Sequence, residues 1–467
     1  MTAGSNVCDS SGSSVSQSTA IRIGVLLMIG ALLVRGAVCL RGVDQYSSDL
    51  DAYRAIAETL GVTGVFGLTA TSGETIPTAF RPPLYPYLLS WLLVDQRLPN
   101  AGVAALHALL GALAVLFTYL AGLSMLRAKT GLWGAIVASV LVMIDPVLLR
   151  QSTLVMTETL ATTLVCIVIW WWARYRNEAR DTTFGLVLGG LLALAFLVRP
   201  TFLVWGILLV AASVFFNWRL GRARWRQLAA AVAVICLVIG AWTLRNARAV
   251  GHPVWATTHG GYTLLLGNNP SFYSYLNSGS RTGVWDSELF QVAYSHRYDG
   301  DPRTPEFWQQ NWNGMREMQS DEVVRQTTEH SDDRLAYESA RAVIKRQPSM
   351  FLWAVGVRVC RLWNPFPSQT AGRVSWTVAA VGIYCCCLFA AMLVGCFRLG
   401  RDFLTETWWP VLALFLTLTL VHTVYWSNIR MRAPAIPAIA LLASAAIPVR
   451  PRRLTDESAE ARDAVCG

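Results

Sequence analysis

Apolar runs of about 17 to 25 residues recur along this chain, and they restrict the structures that it can form. A helix needs about 20 mostly apolar residues to cross the roughly 30 Å hydrocarbon core of a bilayer. The sequence of 467 residues is 54% hydrophobic and 15% charged, whereas a soluble protein carries about 25% charged residues. The sequence therefore predicts an all-α polytopic membrane protein.

Ten of these runs are predicted to cross the membrane. Short basic clusters lie between them, and the positive-inside rule places such clusters in the cytoplasm. The same clusters account for the net charge of +10, so we expect no nucleic-acid partner. The ten predicted spans are residues 21–40, 101–126, 132–149, 156–173, 184–198, 202–217, 228–244, 374–397, 408–425 and 433–449.

A shorter apolar run, residues 84–94, extends about 16 Å as a helix and cannot cross a core of about 30 Å. With the N-terminus and the Arg127/Lys129 cluster both inside, only one of the runs 84–94 and 101–126 can cross. Residues 84–94 should therefore lie along the outer surface. The same reasoning makes residues 348–366 a second outer-surface helix of the interfacial amphipathic kind.

The predicted spans divide the chain into five parts. Residues 1–20 are polar and Ser-rich, which predicts a disordered cytoplasmic N-terminus. The other parts are a transmembrane module at 21–244 with a first outer loop at 41–100, a large outer loop with a juxtamembrane helix at 245–373, C-terminal transmembrane helices at 374–449 and a cytoplasmic tail at 450–467. The sequence assigns no role to residues 269–348.

Acidic side chains close to membrane spans are costly and are often functional. Asp49 and Asp51 stand in "SSDLDAYRAIAETL", whose apolar spacing predicts a short amphipathic helix. Asp49 suits either the cap of that helix or a catalytic role, and the spacing leaves both open. Glu158 is predicted at an outer tip, where it either caps the next span or shares a site with Asp49.

Five arginines fall on the outer side of the predicted topology, against the usual orientation bias. Such residues can extend to lipid headgroups. If they surround one cavity, they can instead bind a phosphate with their forked donors, which beside carboxylates suggests a lipid-phosphate substrate. Arg245 and Arg430 suit the headgroup role equally well. The five are Arg81, Arg199, Arg245, Arg430 and Arg432.

Seven motifs, in their order along the chain, resemble the GT-C glycosyltransferases of the protein mannosyltransferase and lipid A aminoarabinose transferase type. They extend from the first span to the last. The resemblance implies a GT-C fold with about ten transmembrane helices and juxtamembrane helices on the outer face. The motifs are "DLDAY", "FRPPLYP", "STLVMTETL", "LVRPT", "TLRNARAVGHPV", "GGYTLLLGNN" and "RMRAPAIP".

The resemblance also implies a sugar donor linked to polyprenyl phosphate and an active site on the periplasmic or extracytoplasmic side of the cell membrane. Its first-loop aspartate is the catalytic base, and the spacing to Tyr53 favours Asp49 over Asp51. Glu158 is the second catalytic candidate. In this family the basic residue of the "RPP" motif lies near the carrier phosphate, and here that residue is Arg81.

Arg199 and Arg432 are expected to share the phosphate with that arginine, and Tyr53 and Tyr85 to join the substrate site. No dinucleotide or P-loop glycine pattern occurs, which fits a lipid-borne donor. No cofactor is assigned, and a divalent metal ion stays open because no ligand set is recognised; His259 is isolated in the sequence.

Membrane lipids are the other expected partners, and the acceptor, an envelope lipid, glycan or protein, is not identified by the sequence. The alternative function is a transporter or flippase of lipid-linked sugars, which would hold the phosphate without a catalytic base. Such proteins carry charges at the membrane midplane. Arg35 is the one strong midspan charge in the predicted spans.

Overall fold

The fold is taken from a computed structural model of the chain. The predicted tails lie wholly or largely outside the described residues, as do Arg127, Arg180 and Arg222 of the basic clusters. The described residues are 16–126, 129–176, 181–221, 224–278, 285–312, 315–318, 328–367 and 375–448.

Helices account for most of the described chain. A short antiparallel hairpin in the first loop consists of β1 (Gly67–Thr69) and β2 (Thr75–Pro77). The α-helices are α1 (Gln17–Arg41), α2 (Tyr53–Thr63), α3 (Leu84–Ser90), α4 (Asn100–Met125), α5 (Gly131–Ile144), α6 (Pro146–Gln151), α7 (Glu158–Tyr175), α8 (Asp181–Val198), α9 (Phe202–Arg219), α10 (Trp225–Ala249), α11 (Gly260–Gly267), α12 (Pro270–Asn277), α13 (Glu288–Ser295), α14 (Pro305–Gln309), α15 (Glu329–Arg346), α16 (Pro348–Trp363), α17 (Ser375–Leu399), α18 (Trp409–His422) and α19 (Ile436–Ser444). Short 3₁₀ segments are Val43–Ser47, Gly400–Leu404 and Ile429–Ala435.

Each of the ten predicted spans overlaps one of these helices, so the prediction of a multi-pass helical membrane protein is confirmed. The number of crossings stays a prediction, since several of the ten helices are short. Helices with both the length and the hydropathy of a membrane span, within the described residues, are Gln17–Arg41, Asn100–Met125, Phe202–Arg219, Trp225–Ala249 and Ser375–Leu404.

The central packing of the bundle involves α4, which contacts α1, α5 and α7. Helix α19 packs against α5 and α17, and all nine of its residues are buried. This helix is much shorter than the predicted span 433–449. Its start is delayed because the preceding segment Ile429–Ala435 winds as a 3₁₀ helix, with Pro434 inside it.

A helix break explains the midspan arginine. The predicted span 132–149 is divided at Asp145, because Pro146 has no N–H to continue the hydrogen bonding of α5. Arg35 is 2% exposed and donates to the carbonyl oxygens of Val142 (3.1 Å) and Leu148 (3.0 Å). Backbone acceptors inside a membrane must be satisfied within the protein, so the position of Arg35 is accounted for by structure alone.

The two predicted surface helices differ in length. Helix α3 has only seven residues and packs on α2, with Tyr85 and Leu89 buried. Helix α16 has 16 residues, and it exposes Leu352 and Trp353 while burying Arg358. The exposed apolar side chains suit an interfacial helix, and the outer-surface position of both helices stays a prediction.

The large predicted outer loop is mostly helical. Helices α11 to α16 share a second hydrophobic core, separate from the core of the bundle. Its central residues include Leu265, Phe272, Phe290 and Ala340, each fully buried. Helix α15 contacts α11 within the large loop. Its first residue, Glu329, accepts from the Ala79 N–H at 2.6 Å, which joins the large loop to the first loop.

Candidate active site

A cavity of about 550 Å³ opens where the first loop, the start of α7 at Thr157 and Glu158, the α8–α9 turn, α11 and the end of α18 meet. This volume is within the usual range of about 300 to 1,000 Å³ for small-molecule sites. Charged side chains gather on one side of it. They are Asp51, Arg81, Glu158, Arg199 and Arg430.

These five side chains form a row in which the charges alternate. Arg81 Nη2 lies 2.7 Å from Asp51 Oδ1, and Asp51 Oδ2 lies 3.9 Å from Arg430 Nη1. Arg430 Nε lies 3.0 Å from Glu158 Oε1, which is also 2.6 Å from Arg199 Nη2. Three guanidinium groups and two carboxylates leave one net positive charge, so the row is suited to bind a monoanion.

The first loop turns sharply between its two aspartates. Asp49 accepts backbone hydrogen bonds from Arg54 (3.1 Å) and Ala55 (2.8 Å), so its carboxylate caps the start of α2. Asp51 instead lines the cavity. Ala52 between Asp51 and α2 has φ of +58°, a left-handed conformation that is strained for a residue other than glycine. Asp51, and not the predicted Asp49, is therefore the aspartate that a ligand in the cavity can reach.

The segment that carries Arg81 is fixed on several sides. Arg81 Nε donates to the carbonyl oxygen of Asp51 at 2.8 Å, and its guanidinium lies 4.3 Å from the ring centre of Phe80. The backbone N–H of Thr258 donates to the carbonyl of Ala79 at 3.0 Å. An arginine held in this way is preorganised for binding because little rotamer entropy remains to be lost.

Proline and capping residues position the other two arginines. Pro200 has no N–H to extend α8, and the turn directs Arg199 to Thr157, whose hydroxyl accepts from Arg199 Nε at 2.8 Å. Arg430 follows Asn428, whose side chain accepts from the Arg430 N–H at 3.0 Å.

Glu158 is 1% exposed and is the first residue of α7. The helix dipole favours a carboxylate at that position. Its ion pairs with Arg199 and Arg430 provide the counter-charge that a buried carboxylate requires. The sequence left open whether Glu158 caps a span or shares a site with Asp49. In the structure Glu158 begins α7 and is joined through Arg430 to Asp51.

Besides Asp49, three residues predicted for the site do not line the cavity. Arg432 is 1% exposed and donates to the carbonyl oxygens of Leu362 (3.3 Å) and Asn364, so it holds the chain behind the site. Arg245 donates to the carbonyl of Thr78 at 2.6 Å.

Tyr85, the third of them, is buried, and its hydroxyl is 2.7 Å from Nε2 of His107. Tyr53 does line the cavity, beside Arg81. Its ring also meets that of Tyr85 edge to face, with centres 5.3 Å apart. Tyr85 therefore supports the site from behind, through Tyr53.

Sequence reasoning missed an aromatic side of the cavity. His259, Tyr262, Tyr337 and Tyr425 line it, and the isolated His259 stacks on Tyr262 with ring centres 5.0 Å apart. Burial and the nearby Arg81 cation lower the pKa of His259 well below its usual range. The "GGYTLLLGNN" motif contains Tyr262 and was the available signal, whereas Tyr337 and Tyr425 belong to no motif in the sequence.

Metal binding has no candidate in the part of the chain that the structure describes, where no group of three or more His, Cys, Asp or Glu side chains has a suitable arrangement. The carboxylates of the cavity are already paired with arginines, which compete with a divalent cation for the same oxygens. Asp51 and Glu158 therefore suit the role of partners to the arginines better than the role of metal ligands.

Comparisons with protein-family models and with curated proteins found no match. Among solved structures, the apo oligosaccharyltransferase of Archaeoglobus fulgidus is similar, with a TM-score of 0.51 and 14% sequence identity over 92% of this chain and 50% of that protein. The chain has a GT-C fold. It spans about half the length of that oligosaccharyltransferase, and an identity this low relates the two folds only.

Two further matches have lower TM-scores. ArnT from Cupriavidus metallidurans, solved with undecaprenyl phosphate, gives a TM-score of 0.38 with 14% identity over 90% of this chain and 77% of that one. The oligosaccharyltransferase AglB of A. fulgidus, in complex with an inhibitory peptide and a dolichol-phosphate, gives 0.45 with 16% identity over 94% and 54%. Both scores are too low to relate individual residues of the chains.

Proposed function

We propose that this protein is an integral-membrane glycosyltransferase. It transfers a sugar from a polyprenyl-phosphate-linked donor to an acceptor on the extracytoplasmic side of the cell membrane. The main support for this proposal is the row of three arginines and two carboxylates in one cavity. Its net charge of +1 matches a phosphodiester, which is the anion of such a donor.

Arginine suits this anion because its planar fork can give two parallel hydrogen bonds to phosphate oxygens. Negative charge grows on the phosphate as the bond to the sugar breaks and the diester becomes a monoester. Arg81, Arg199 and Arg430 then stabilise the transition state more than the ground state. Each of the three is already fixed by hydrogen bonds or ion pairs before a substrate binds.

Asp51 is the proposed general base. Its Oδ1 is held by Arg81, whereas Oδ2 lies 3.9 Å from Arg430, beyond hydrogen-bond distance. The acceptor oxygen or nitrogen attacks the anomeric carbon and gives its proton to this oxygen. The bond from the anomeric carbon to the phosphate oxygen breaks, and the carrier phosphate leaves with both electrons. Such base assistance accounts for about a hundred- to ten-thousand-fold in rate.

Orientation signals support the proposed side of the membrane. The cavity lies at the helix ends opposite Lys129 and Arg176, which belong to the predicted cytoplasmic clusters. An extracytoplasmic site has no access to cytoplasmic nucleotide sugars, so a lipid-borne donor fits this location. The acceptor is an envelope lipid, glycan or protein.

The test is sugar transfer by the purified protein, with an undecaprenyl-phosphate-linked sugar as donor and a cell-envelope extract as the acceptor source. Wild-type protein is compared with Asp51→Asn, and donor binding is measured in parallel. Asp49→Asn is the matched control, two residues away on the capping side of the turn. Transfer by wild type and Asp49→Asn, with loss in Asp51→Asn, supports the proposal. Donor binding without transfer by any of them would favour the transporter.

A further inference from the structure

The cavity has two chemically different sides. The charged row forms one, and the second is the aromatic wall, which we define as His259, Tyr262, Tyr337 and Tyr425. The hydroxyl oxygens of Tyr337 and Tyr425 are 3.3 Å apart, although one residue belongs to α15 and the other follows α18. All four side chains are half-buried, so part of each ring faces the cavity.

Three members of the aromatic wall, His259, Tyr262 and Tyr337, are uncharged near neutral pH. Burial and the Arg81 cation lower the pKa of His259, and burial raises the pKa values of Tyr262 and Tyr337. The wall therefore offers flat ring faces, phenolic hydroxyls and one neutral imidazole. Ring faces suit the C–H surface of a sugar ring, and hydroxyls suit its polar edge.

A ligand cation would find no free counter-charge on the charged side. Asp51 is paired with Arg81, and Glu158 lies between Arg199 and Arg430. Both carboxylate oxygens of Glu158 are buried, so a ligand cation cannot reach them. A neutral sugar avoids placing a further positive charge beside Arg199 and Arg430.

The charge balance of the site also favours an uncharged sugar. Three arginines, two carboxylates and one phosphodiester sum to zero, whereas an ammonium on the sugar leaves an uncompensated charge in a site that is partly closed to water. Uncompensated charge at a buried site is costly.

We propose that the aromatic wall is the glycosyl subsite and that it takes an uncharged, hydroxyl-bearing sugar and rejects one that carries an ammonium group. This inference rests on the proposed function and adds the class of sugar to it. The sugar ring lies against Tyr262, and its hydroxyls reach Tyr337 and Tyr425.

The test measures binding of three undecaprenyl phosphodiesters to the purified protein without an acceptor. The first carries a methyl group, the second a neutral hexose and the third the same hexose with one hydroxyl replaced by an amino group. All three have the same phosphodiester charge, so the methyl ester reports the phosphate contacts alone. We expect the neutral glycosyl diester to bind at least about tenfold more tightly than the methyl ester, which corresponds to about 1.4 kcal/mol. The amino-sugar diester should bind no more tightly than the methyl ester.

Variants of Tyr262 test whether the aromatic wall causes the preference for the neutral sugar. Tyr262→Ala should remove the advantage of the neutral sugar and change methyl-ester affinity less than about threefold, which corresponds to less than about 0.7 kcal/mol. Tyr262→Phe keeps the ring face and should keep most of the advantage. Trp376→Ala, an exposed aromatic of α17 outside the cavity, is the matched control and should change neither affinity.

The outcomes separate the two proposals. If the wild-type protein binds none of the three diesters, the proposed function fails. If it binds the methyl ester but prefers the amino sugar, or binds both sugars equally well, the neutral-sugar inference is wrong and the proposed function stands. If Tyr262→Ala fails to fold, Tyr337→Phe is used instead, since it removes only one hydroxyl of the wall. The binding of the two sugar diesters to the wild-type protein still decides between the neutral and the amino sugar.

Discussion

Arginine has two distinct uses in this molecule. Arg35, Arg358 and Arg432 are almost completely buried, and each donates to backbone carbonyl oxygens near a helix end or break. Arg81 and Arg430 pair instead with carboxylates at the cavity. The first use satisfies acceptors that lipid cannot satisfy. The second leaves cationic groups that an anion can reach. Sequence position alone does not separate the two.

The neighbouring residues Arg430 and Arg432 test this distinction. Arg430→Lys keeps the charge but loses the fork that bridges two carboxylates, so affinity for a polyprenyl phosphodiester should fall about tenfold. Arg432→Lys should leave binding almost unchanged and lower the melting temperature in detergent, because unsatisfied buried carbonyls cost about 1 to 3 kcal/mol each. Equal effects of the two substitutions on binding would contradict the assignment.

The aspartate pair gives the second prediction. Asp51→Asn should lower sugar transfer at least about a hundredfold with donor binding retained, since the amide keeps the shape but cannot accept the proton. Asp49→Asn should retain transfer and reduce stability by about 1 kcal/mol through a weaker helix cap. Steady-state transfer and thermal melting of both variants provide the measurement. If only Asp49→Asn loses sugar transfer, the catalytic base is Asp49 and not Asp51.

Among the elements, α15 connects the large loop to the first loop. Its first residue, Glu329, accepts from the Thr78 hydroxyl at 2.5 Å and from the Ala79 N–H at 2.6 Å. Ala79 lies two residues before Arg81, so the large loop helps to hold this arginine at the cavity. Arg245 of α10 supports the same segment through the Thr78 carbonyl. Both act as positioning residues.

Removal of the contact between Glu329 of α15 and Ala79 should weaken donor binding more than it slows the reaction of the bound donor. Glu329→Ala leaves the Ala79 N–H without its acceptor and frees the segment before Arg81, so we expect a severalfold rise in the donor KM with a smaller change in kcat. Glu329→Gln keeps an acceptor for that N–H and should recover most of the affinity. A purely structural role would instead lower stability in Glu329→Ala with no change in KM.

A pH-dependent contribution arises on the same helix. Burial raises the pKa of Asp333 from 3.8 to about 6, although its Oδ1 accepts from the Gly261 N–H at 2.6 Å. A raised carboxyl pKa stabilises the folded state at low pH, and this contribution is lost as the pH rises through about 4 to 6. Asp333→Asn, which cannot titrate, should therefore gain stability relative to wild type across that window. Melting curves of both proteins at pH 4 and pH 7 measure the difference in stability between variant and wild type. The same difference at both pH values would contradict the prediction.

At the scale of the whole molecule, the two predicted outer loops and the ends of several apolar helices enclose one cavity. The first loop contributes Asp51 and Arg81, and the large loop contributes His259 and Tyr337. Since these residues line a common cavity, both loops lie at the same end of the bundle. The proposed function assigns that end to the side away from the cytoplasm.

Cysteine labelling tests this arrangement. In a variant without native cysteines, Gln96→Cys of the first loop and Glu306→Cys of the large loop should react with a membrane-impermeant reagent from the outside. Lys129→Cys should react only after the membrane is opened. All three positions are at least partly exposed. Labelling of Gln96→Cys and Lys129→Cys from the same side would show that the topology is wrong.

The sequence by itself determined the class of fold, because membrane spans require apolar runs of a length that few other structures need. It also identified Arg81, Glu158, Arg199 and Arg430 as candidates, since charges near spans are costly and stand out. The short helix at Leu84–Ser90 was indicated by the length of its apolar run, although its ends were not.

Only the tertiary structure decided which candidates share the cavity. Asp49 and Asp51 are two residues apart, and a single left-handed residue, Ala52, follows the one that reaches the cavity. Arg430 and Arg432 are also two residues apart, and the 3₁₀ helix that contains them directs only Arg430 to the cavity. The aromatic wall comes from residues up to about 170 positions apart, which no local pattern connects. Side-chain direction depends on backbone dihedral angles and on long-range packing, whereas the apolar pattern can be read from the local order of residues.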